Sequence, residues 1–178
     1  MSELKDWLNS INQTKMIEVY DDFFDEKIHL EIFDKLYYSH NWGISGGDSG
    51  KPEIFWHYDN LEKQDYFKDY IYKLICKKLN MNFKSVERIY ANGQTAGQGG
   101  TPHRDDGDLT FLYYPAPQWN ISLQGHLIFL NDSGEANKVV EYKSNRAVLF
   151  DGKIAHYASA PSRFFNGLRI SLAYKLWK

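Results

Sequence analysis

Near Met81 the chain changes its period and does not change back, and this transition limits the folds open to it. Before it, from Leu61 to Leu79, Phe67, Tyr70, Ile71, Leu74, Ile75 and Leu79 recur at helical spacing with lysines and acids on the opposite face, which predicts an amphipathic helix. A second helix is predicted near Asp25 to Tyr38, where Ile28, Ile32, Phe33 and Leu36 share a face and Asp21 and Asp22 offer N-caps. Met16 to Tyr20 reads as a short strand. After Met81 the texture is one of β-branched and aromatic runs divided by Gly, Pro, Asn and Asp. Strands are predicted near Val86–Ala91, Leu109–Tyr114, His126–Leu130, Val139–Tyr142, Ala147–Phe150 and Leu168–Tyr174. Helices first and strands afterwards, with no βαβ alternation, argue for a mostly antiparallel α+β domain. About six to eight strands behind one or two helices predict a double-sheet jelly roll or a related barrel.

At 178 residues one domain is expected, with 1–82 mainly helical support and 83–178 the jelly-roll core. Aromatic residues make up 16% of the chain, enough to line a cleft as well as a core. Lys plus Arg number 21 against 23 Asp plus Glu, so the basic excess that drives phosphate binding is missing and no nucleic-acid partner is expected. The one cysteine, Cys76, excludes an internal disulfide or a cysteine-built zinc site. The opening MSELKDWLNS has no apolar run of signal-peptide length, and the longest uncharged stretch, Leu109 to Asn131, is broken by Pro115, Pro117, Asn120 and Gln124. A soluble cytoplasmic protein without a membrane partner is the expectation.

His103 and Asp105 stand two apart in Thr101-Pro102-His103-Arg104-Asp105. In an extended segment such side chains leave the same face and can converge on one point. His156 follows the apolar run ending at Phe150 and offers a third ligand. Two histidines and one carboxylate make a facial triad that leaves positions open on an octahedral metal, the arrangement of non-haem Fe(II) oxygenases. Alone, a His-x-Asp pair arises often by chance in solvated loops. Arg169-Ile170-Ser171, in the last predicted strand, adds more. Arg169 and Ser171 share a face of a strand whose Ile170 and Leu172 give it a buried side. A charge placed there needs a partner, and a guanidinium beside a hydroxyl can grip one carboxylate.

Taken in order, these residues resemble the Fe(II)- and 2-oxoglutarate-dependent dioxygenases, and among them the prolyl 4-hydroxylase-like branch. The resemblance runs from about Arg88 to Lys175. Tyr90-Ala91-Asn92-Gly93 looks like the tyrosine and glycine that precede the metal motif, and His103-Arg104-Asp105 like the first two iron ligands. Thr110-Phe111-Leu112-Tyr113-Tyr114, with Trp119 after it, is similar to the branch's Thr…Tyr…Trp strand, whose tyrosine hydrogen-bonds the co-substrate. Gly125-His126-Leu127-Ile128-Phe129 resembles its glycine-led next strand, and Asn145 to Phe150, His156 and Arg169 complete the order. The resemblance implies a double-stranded β-helix (jelly roll) with one or two N-terminal supporting helices. It implies Fe(II) on His103, Asp105 and His156, with 2-oxoglutarate as co-substrate, its far carboxylate at Arg169 with Ser171 and Tyr114, and Tyr90 as a further candidate. Dioxygen would be the oxidant, with ascorbate as an optional reductant.

The implied reaction is hydroxylation of an unactivated C–H bond with release of succinate and CO2. The implied substrate is a prolyl residue in a peptide or protein laid across the mouth near Tyr113, Trp119 and the stretch Gly93 to Gly100. A free amino acid or other small molecule is the alternative within the superfamily. A non-enzymatic jelly-roll module that binds a metal or ligand is the alternative outside it. The chain departs from the branch in places. The Gly93–Gly100 stretch is longer than expected and reads as a lid. His156 and Arg169 are spaced widely by Pro161 to Asn166, which makes Arg163 a rival anchor, although it lacks a serine two residues on. His126 stands where the branch often has Glu or Thr. His29, His40, His57 and Cys76 read as packing or surface residues, and Trp42 to Gly47 and Phe55-Trp56 as loops with aromatic anchors.

Overall fold

The computed structural model describes residues 16–46 and 54–178. The expectations for the first residues and for Gly47 lie outside the described residues. In chain order the elements are β1 (Ile17–Tyr20), α1 (Glu26–Tyr37), β2 (Gly43–Gly46), β3 (Ile54–Tyr58), α2 (Tyr72–Leu79), β4 (Ser85–Gln94), β5 (Leu109–Tyr114), β6 (Leu127–Leu130), β7 (Ala136–Val140), β8 (Arg146–Asp151), β9 (His156–Ala158) and β10 (Arg169–Trp177). A large sheet runs β1-β8-β5-β10-β4-β3-β2 and a small one β7-β6-β9, and their strand pairs are antiparallel. This is a jelly roll whose two sheets stay separate and do not close. No described helix is long and apolar enough to cross a membrane.

Alternation along the strands sorts the side chains into two cores. From β10, Ile170, Leu172, Tyr174 and Leu176 enter the core beneath the helices, with Ile28, Ile32 and Leu36 of α1, Ile75 of α2 and Phe67 and Ile71 just before it. Tyr114, Leu127, Phe129, Val148 and Phe150 form a second core between the sheets. On that second face β10 carries Arg169, Ser171 and Lys175, each under about a twentieth exposed.

Several local features differ from the sequence expectation. Asp25 caps α1, its carboxylate accepting from the Ile28 amide at 3.0 Å. The expected caps do other work: Asp21 pairs with Arg146 (2.7 Å) and Lys143 (2.9 Å), and Asp22 turns the chain at φ 50°. The single helix expected from Leu61 to Leu79 is interrupted. A tight turn at Leu61–Lys63 gives way to a widened π-type stretch, Tyr66–Ile71, which runs into α2. Within it the Phe67 carbonyl accepts both from the Tyr72 amide, five residues on, and from the Tyr174 hydroxyl of the sheet at 3.0 Å. Within Trp42–Gly47 and around Phe55-Trp56, expected as loops, lie the strands Gly43–Gly46 and Ile54–Tyr58: β3 pairs with β4 through Trp56 and Gly93, and among the described residues the region before residue 83 supplies three strands as well as the helices.

The turn after β8 lies against the segment that carries Asp105. Gly152 donates to the Asp108 carbonyl (3.0 Å) and accepts from the Asp105 amide (2.8 Å), and a Cβ on Gly152 would sit 2.5 Å from the Gly107 oxygen. Backbone cannot yield there as a flexible side chain would, so Gly152→Ala is expected to destabilise the protein by about 2 kcal/mol. Urea unfolding checks this. A loss below about 0.5 kcal/mol would show that the turn adapts.

Candidate functional site

Three metal-ligating side chains meet between the sheets. His103 and His156 exchange backbone hydrogen bonds (3.0 and 2.9 Å) in an isolated bridge, and the Asp105 amide is held by Gly152, so the three arrive on backbone that is already paired. His103, Asp105 and His156 each place one ligand atom within 4.8 Å of the others. The imidazoles are oriented by main-chain carbonyls: His103 Nδ1 lies 2.9 Å from Thr101 O and His156 Nδ1 lies 2.8 Å from Ile154 O. A carbonyl only accepts, so in the neutral ring each Nδ1 carries the proton and each Nε2 is left with a bare lone pair. Those Nε2 atoms face Asp105, at 3.7 Å from Oδ1 for His103 and 3.5 Å from Oδ2 for His156. Burial pushes His156 down to about 4, against the pull of the Asp105 charge, which keeps the ring neutral near pH 7. Bare lone pairs converging on a carboxylate repel one another until a cation lies between them, and fixed Nδ1 partners are the usual support of metal-bound histidines.

Asp105 is itself supported from below. The Thr110 hydroxyl donates to Oδ2 at 2.5 Å, and the Lys175 ammonium pairs with the same oxygen while lying 3.3 Å from Thr110 Oγ1. Burial alone would raise the Asp105 carboxyl, but the Lys175 charge, together with the hydrogen bonds from Lys175 and Thr110, holds it below the ordinary carboxylate range.

Further along the same face of β10 is a second cluster. Arg169, 1% exposed, donates from Nε to the Gly125 carbonyl (2.8 Å) and from Nη1 to Gln94 Oε1 (2.7 Å). Its guanidinium lies 4.6 Å from the Tyr142 ring centre and 5.6 Å from that of Tyr114. Two buried polar atoms here have no hydrogen-bond partner: Arg169 Nη2 and the Tyr114 hydroxyl. A buried guanidinium N–H and a buried phenol left over together describe a carboxylate pocket that is complete except for the carboxylate. Gly125 is required by this packing, because its φ is +77° and a Cβ there would lie 2.8 Å from Arg169 Cδ and Nε.

The structure brings together most residues singled out from the sequence. Arg163 is exposed and lies over its neighbour Phe164, whereas Arg169 is buried. Ser171 shares the buried face with Arg169. Tyr90 pairs with Ala173, four residues along β10 from Arg169, and its ring lies 5.6 Å from Lys175 Nζ, which puts it toward the metal end rather than beside Arg169. Tyr113 is not at the mouth. Alternation turns it into the helix-side core, where its hydroxyl meets His29 Nδ1 (2.6 Å) and donates to Asn145 Oδ1 (2.8 Å). Trp119 packs against Tyr142 and Phe165, and His126 Nδ1 accepts from the Tyr142 amide at 3.3 Å. The stretch read as a lid begins as strand, since Gly93 and Gln94 end β4, and Gly97 and Gly100 then donate to the Pro161 and Ala158 carbonyls. Lys175, Gln94 and Tyr142 went unread in the sequence. The signal for Lys175 was available: counting by twos from Arg169 reaches it, but a lysine near the end of a strand ordinarily means solvent.

No family model matches the sequence, and no curated protein does. Solved structures do. A prolyl hydroxylase from Trichoplax adhaerens, in complex with a peptide fragment of the hypoxia inducible factor oxygen degradation domain, is 16% identical over 98% of this chain and 89% of its own, with a TM-score of 0.71. A prolyl-4-hydroxylase from Pseudomonas putida is 13% identical over 97% and 98%, at 0.67. HygX from Streptomyces hygroscopicus, with nickel and 2-oxoglutarate bound, is 12% identical over 94% and 85%, at 0.64. At these identities the likeness establishes the fold alone, a double-stranded β-helix shared with these structures.

The depressed His156 has a measurable consequence in protein stripped of metal. Between an unfolded value of roughly 6.5 and the folded value of about 4, the unfolded chain takes up a proton that the folded one refuses, so acid favours unfolding. Stability is expected to be full above pH ~6.5 and to fall as pH drops toward ~4, by an amount on the order of 3 kcal/mol, with a flatter profile in His156→Gln. Identical profiles for the two proteins in urea melts across this range would contradict it.

Proposed function

We propose that this chain is a Fe(II)- and 2-oxoglutarate-dependent dioxygenase of the prolyl 4-hydroxylase-like kind, acting on a prolyl residue in a peptide or protein. The observation that carries this reading is the presence, between the two sheets, of two complementary half-sites. Three lone-pair donors at His103, Asp105 and His156 suit a divalent metal. The partnerless Arg169 Nη2 and Tyr114 hydroxyl suit a carboxylate. A keto acid that chelates a metal at one end and carries a carboxylate at the other answers both.

Fe(II) would be held by Nε2 of the two histidines and a carboxylate oxygen of Asp105. With 2-oxoglutarate and dioxygen, it supplies the oxidising chemistry that converts the co-substrate to succinate and CO2 and hydroxylates the substrate. The chain's own part is positioning. Arg169 binds the far carboxylate, with its fork held in plane by Gly125 and Gln94. The Tyr114 hydroxyl donates to the same group, and Ser171 adds a hydroxyl on that face. The stacked rings of Tyr114 and Tyr142, 4.3 Å apart, keep water from the guanidinium. Tyr90 serves the metal end of the co-substrate. The Thr101 and Ile154 carbonyls hold the imidazole tautomers that ligation needs.

For the substrate, support comes from the neighbours in fold, two of which are prolyl hydroxylases and one of which holds a peptide. Trp119 and Phe165 beside the carboxylate pocket offer an aromatic wall for such a segment. The lone Cys76 suits a reducing, cytoplasmic setting.

Anaerobic titration with Fe(II) and 2-oxoglutarate is expected to give the weak visible charge-transfer band of the chelate in wild type and none in His103→Ala. Arg169→Ala should raise the co-substrate Kd about 100-fold, while Arg163→Ala stays within about twofold. Equal affinity of wild type and Arg169→Ala would remove the carboxylate pocket from the reading. Succinate release on proline peptides, on free amino acids or on neither then separates the peptide hydroxylase from a small-molecule enzyme and from a binding module.

A further inference from the structure

Lys175 is 3% exposed at the base of the metal centre, a place where a lysine is costly. It arrives there by strand geometry. On β10 it shares its face with Arg169 and Ser171, and across the ladder it is the direct partner of Thr110 on β5. Both side chains reach the same atom, Oδ2 of Asp105. A carboxylate has two oxygens, and the two donors from β5 and β10 are spent on one of them. Oδ1 takes neither and lies toward His103 Nε2.

We propose that Lys175 is a positioning and charge-setting residue of the metal centre. Resting on the metal reading above, the inference has two parts. With Thr110, Lys175 holds Oδ2, so that Asp105 ligates through Oδ1 alone. Its ammonium also cancels the carboxylate charge, so a divalent ion enters a site of two neutral imidazoles and a neutral ion pair rather than one of net charge −1. At a few ångströms in a buried setting that positive charge opposes the metal strongly, and the site is built to bind its ion more weakly and exchange it more readily than the same triad without the lysine. Thr110 remains to orient the carboxylate when the lysine is replaced, so the charge effect outweighs loss of orientation.

The test is calorimetric titration of metal-stripped protein with Mn(II) alone, in wild type, Lys175→Met, Lys175→Gln, Lys175→Arg and His103→Ala. Wild type is expected to bind one ion and His103→Ala none. Lys175→Met and Lys175→Gln should bind at least about tenfold more tightly, and Lys175→Arg, which keeps the charge, should stay within about threefold of wild type. Lys175→Gln retains a hydrogen-bond donor to Oδ2 and carries the test if Lys175→Met does not fold. Met and Gln variants that bind as wild type does, or more weakly, overturn the inference while leaving the metal site intact. Wild type that takes up no more Mn(II) than His103→Ala overturns the metal reading itself, and this inference with it.

Discussion

Buried charge on the inner face of β10 is the constraint that the surrounding structure answers. The strand's other face is hydrophobic and seals the core beneath the helices, so the strand has no freedom to rotate Arg169 or Lys175 toward solvent. Each cation must then be met where it lies. At Lys175 the answer is Asp105 with Thr110. At Arg169 it is the Gly125 carbonyl, Gln94 and two tyrosine rings, with Nη2 left over. The two unequal answers make one end of the face a place for a cation and the other a place for an anion.

Neighbouring elements are shaped by the same requirement. Gly125 has no room for a Cβ because the arginine stem fills that space, and Gly152 has none because the Asp105 segment passes against it. Among the described residues the helices supply no candidate ligand. Their part is to press the sheet from behind: Ile32, Leu36, Phe67, Ile71 and Ile75 are almost fully buried against it. That pressure keeps β10, β4 and β5 in the register that lines up Arg169 with Gln94 and Lys175 with Thr110.

Much of this was legible in the sequence because it rests on short-range periodicity. Leu109–Tyr114 was bounded correctly, β8 and β10 nearly so, and the spacing of His103 with Asp105 already implied convergence. What was misread lies where tertiary partners override local pattern. Ile54–Tyr58 is held by pairing to β4 and Gly43–Gly46 by pairing to Ile54–Tyr58 in turn, which no local signal announces. The cap moved from Asp21 and Asp22 to Asp25 because distant Arg146 and Lys143 hold Asp21. Tyr113 and Tyr114 are adjacent and alike in composition, and only the side of the sheet each faces decides that one serves the helix-side core and the other the pocket.

The sequence by itself determined the two periodicities, and with them a helical layer, an antiparallel sheet and the same-face grouping of His103 with Asp105 and of Arg169 with Ser171. Only the tertiary structure decided that His156 joins the first group, that Arg169 rather than Arg163 is the buried one, and that Lys175 comes to rest on Asp105. The physical reason is range. Same-face grouping follows from backbone geometry over two or three residues. The meeting of residues 103, 156 and 175 depends on strand order and register across the sheets, which are fixed by packing over the whole chain.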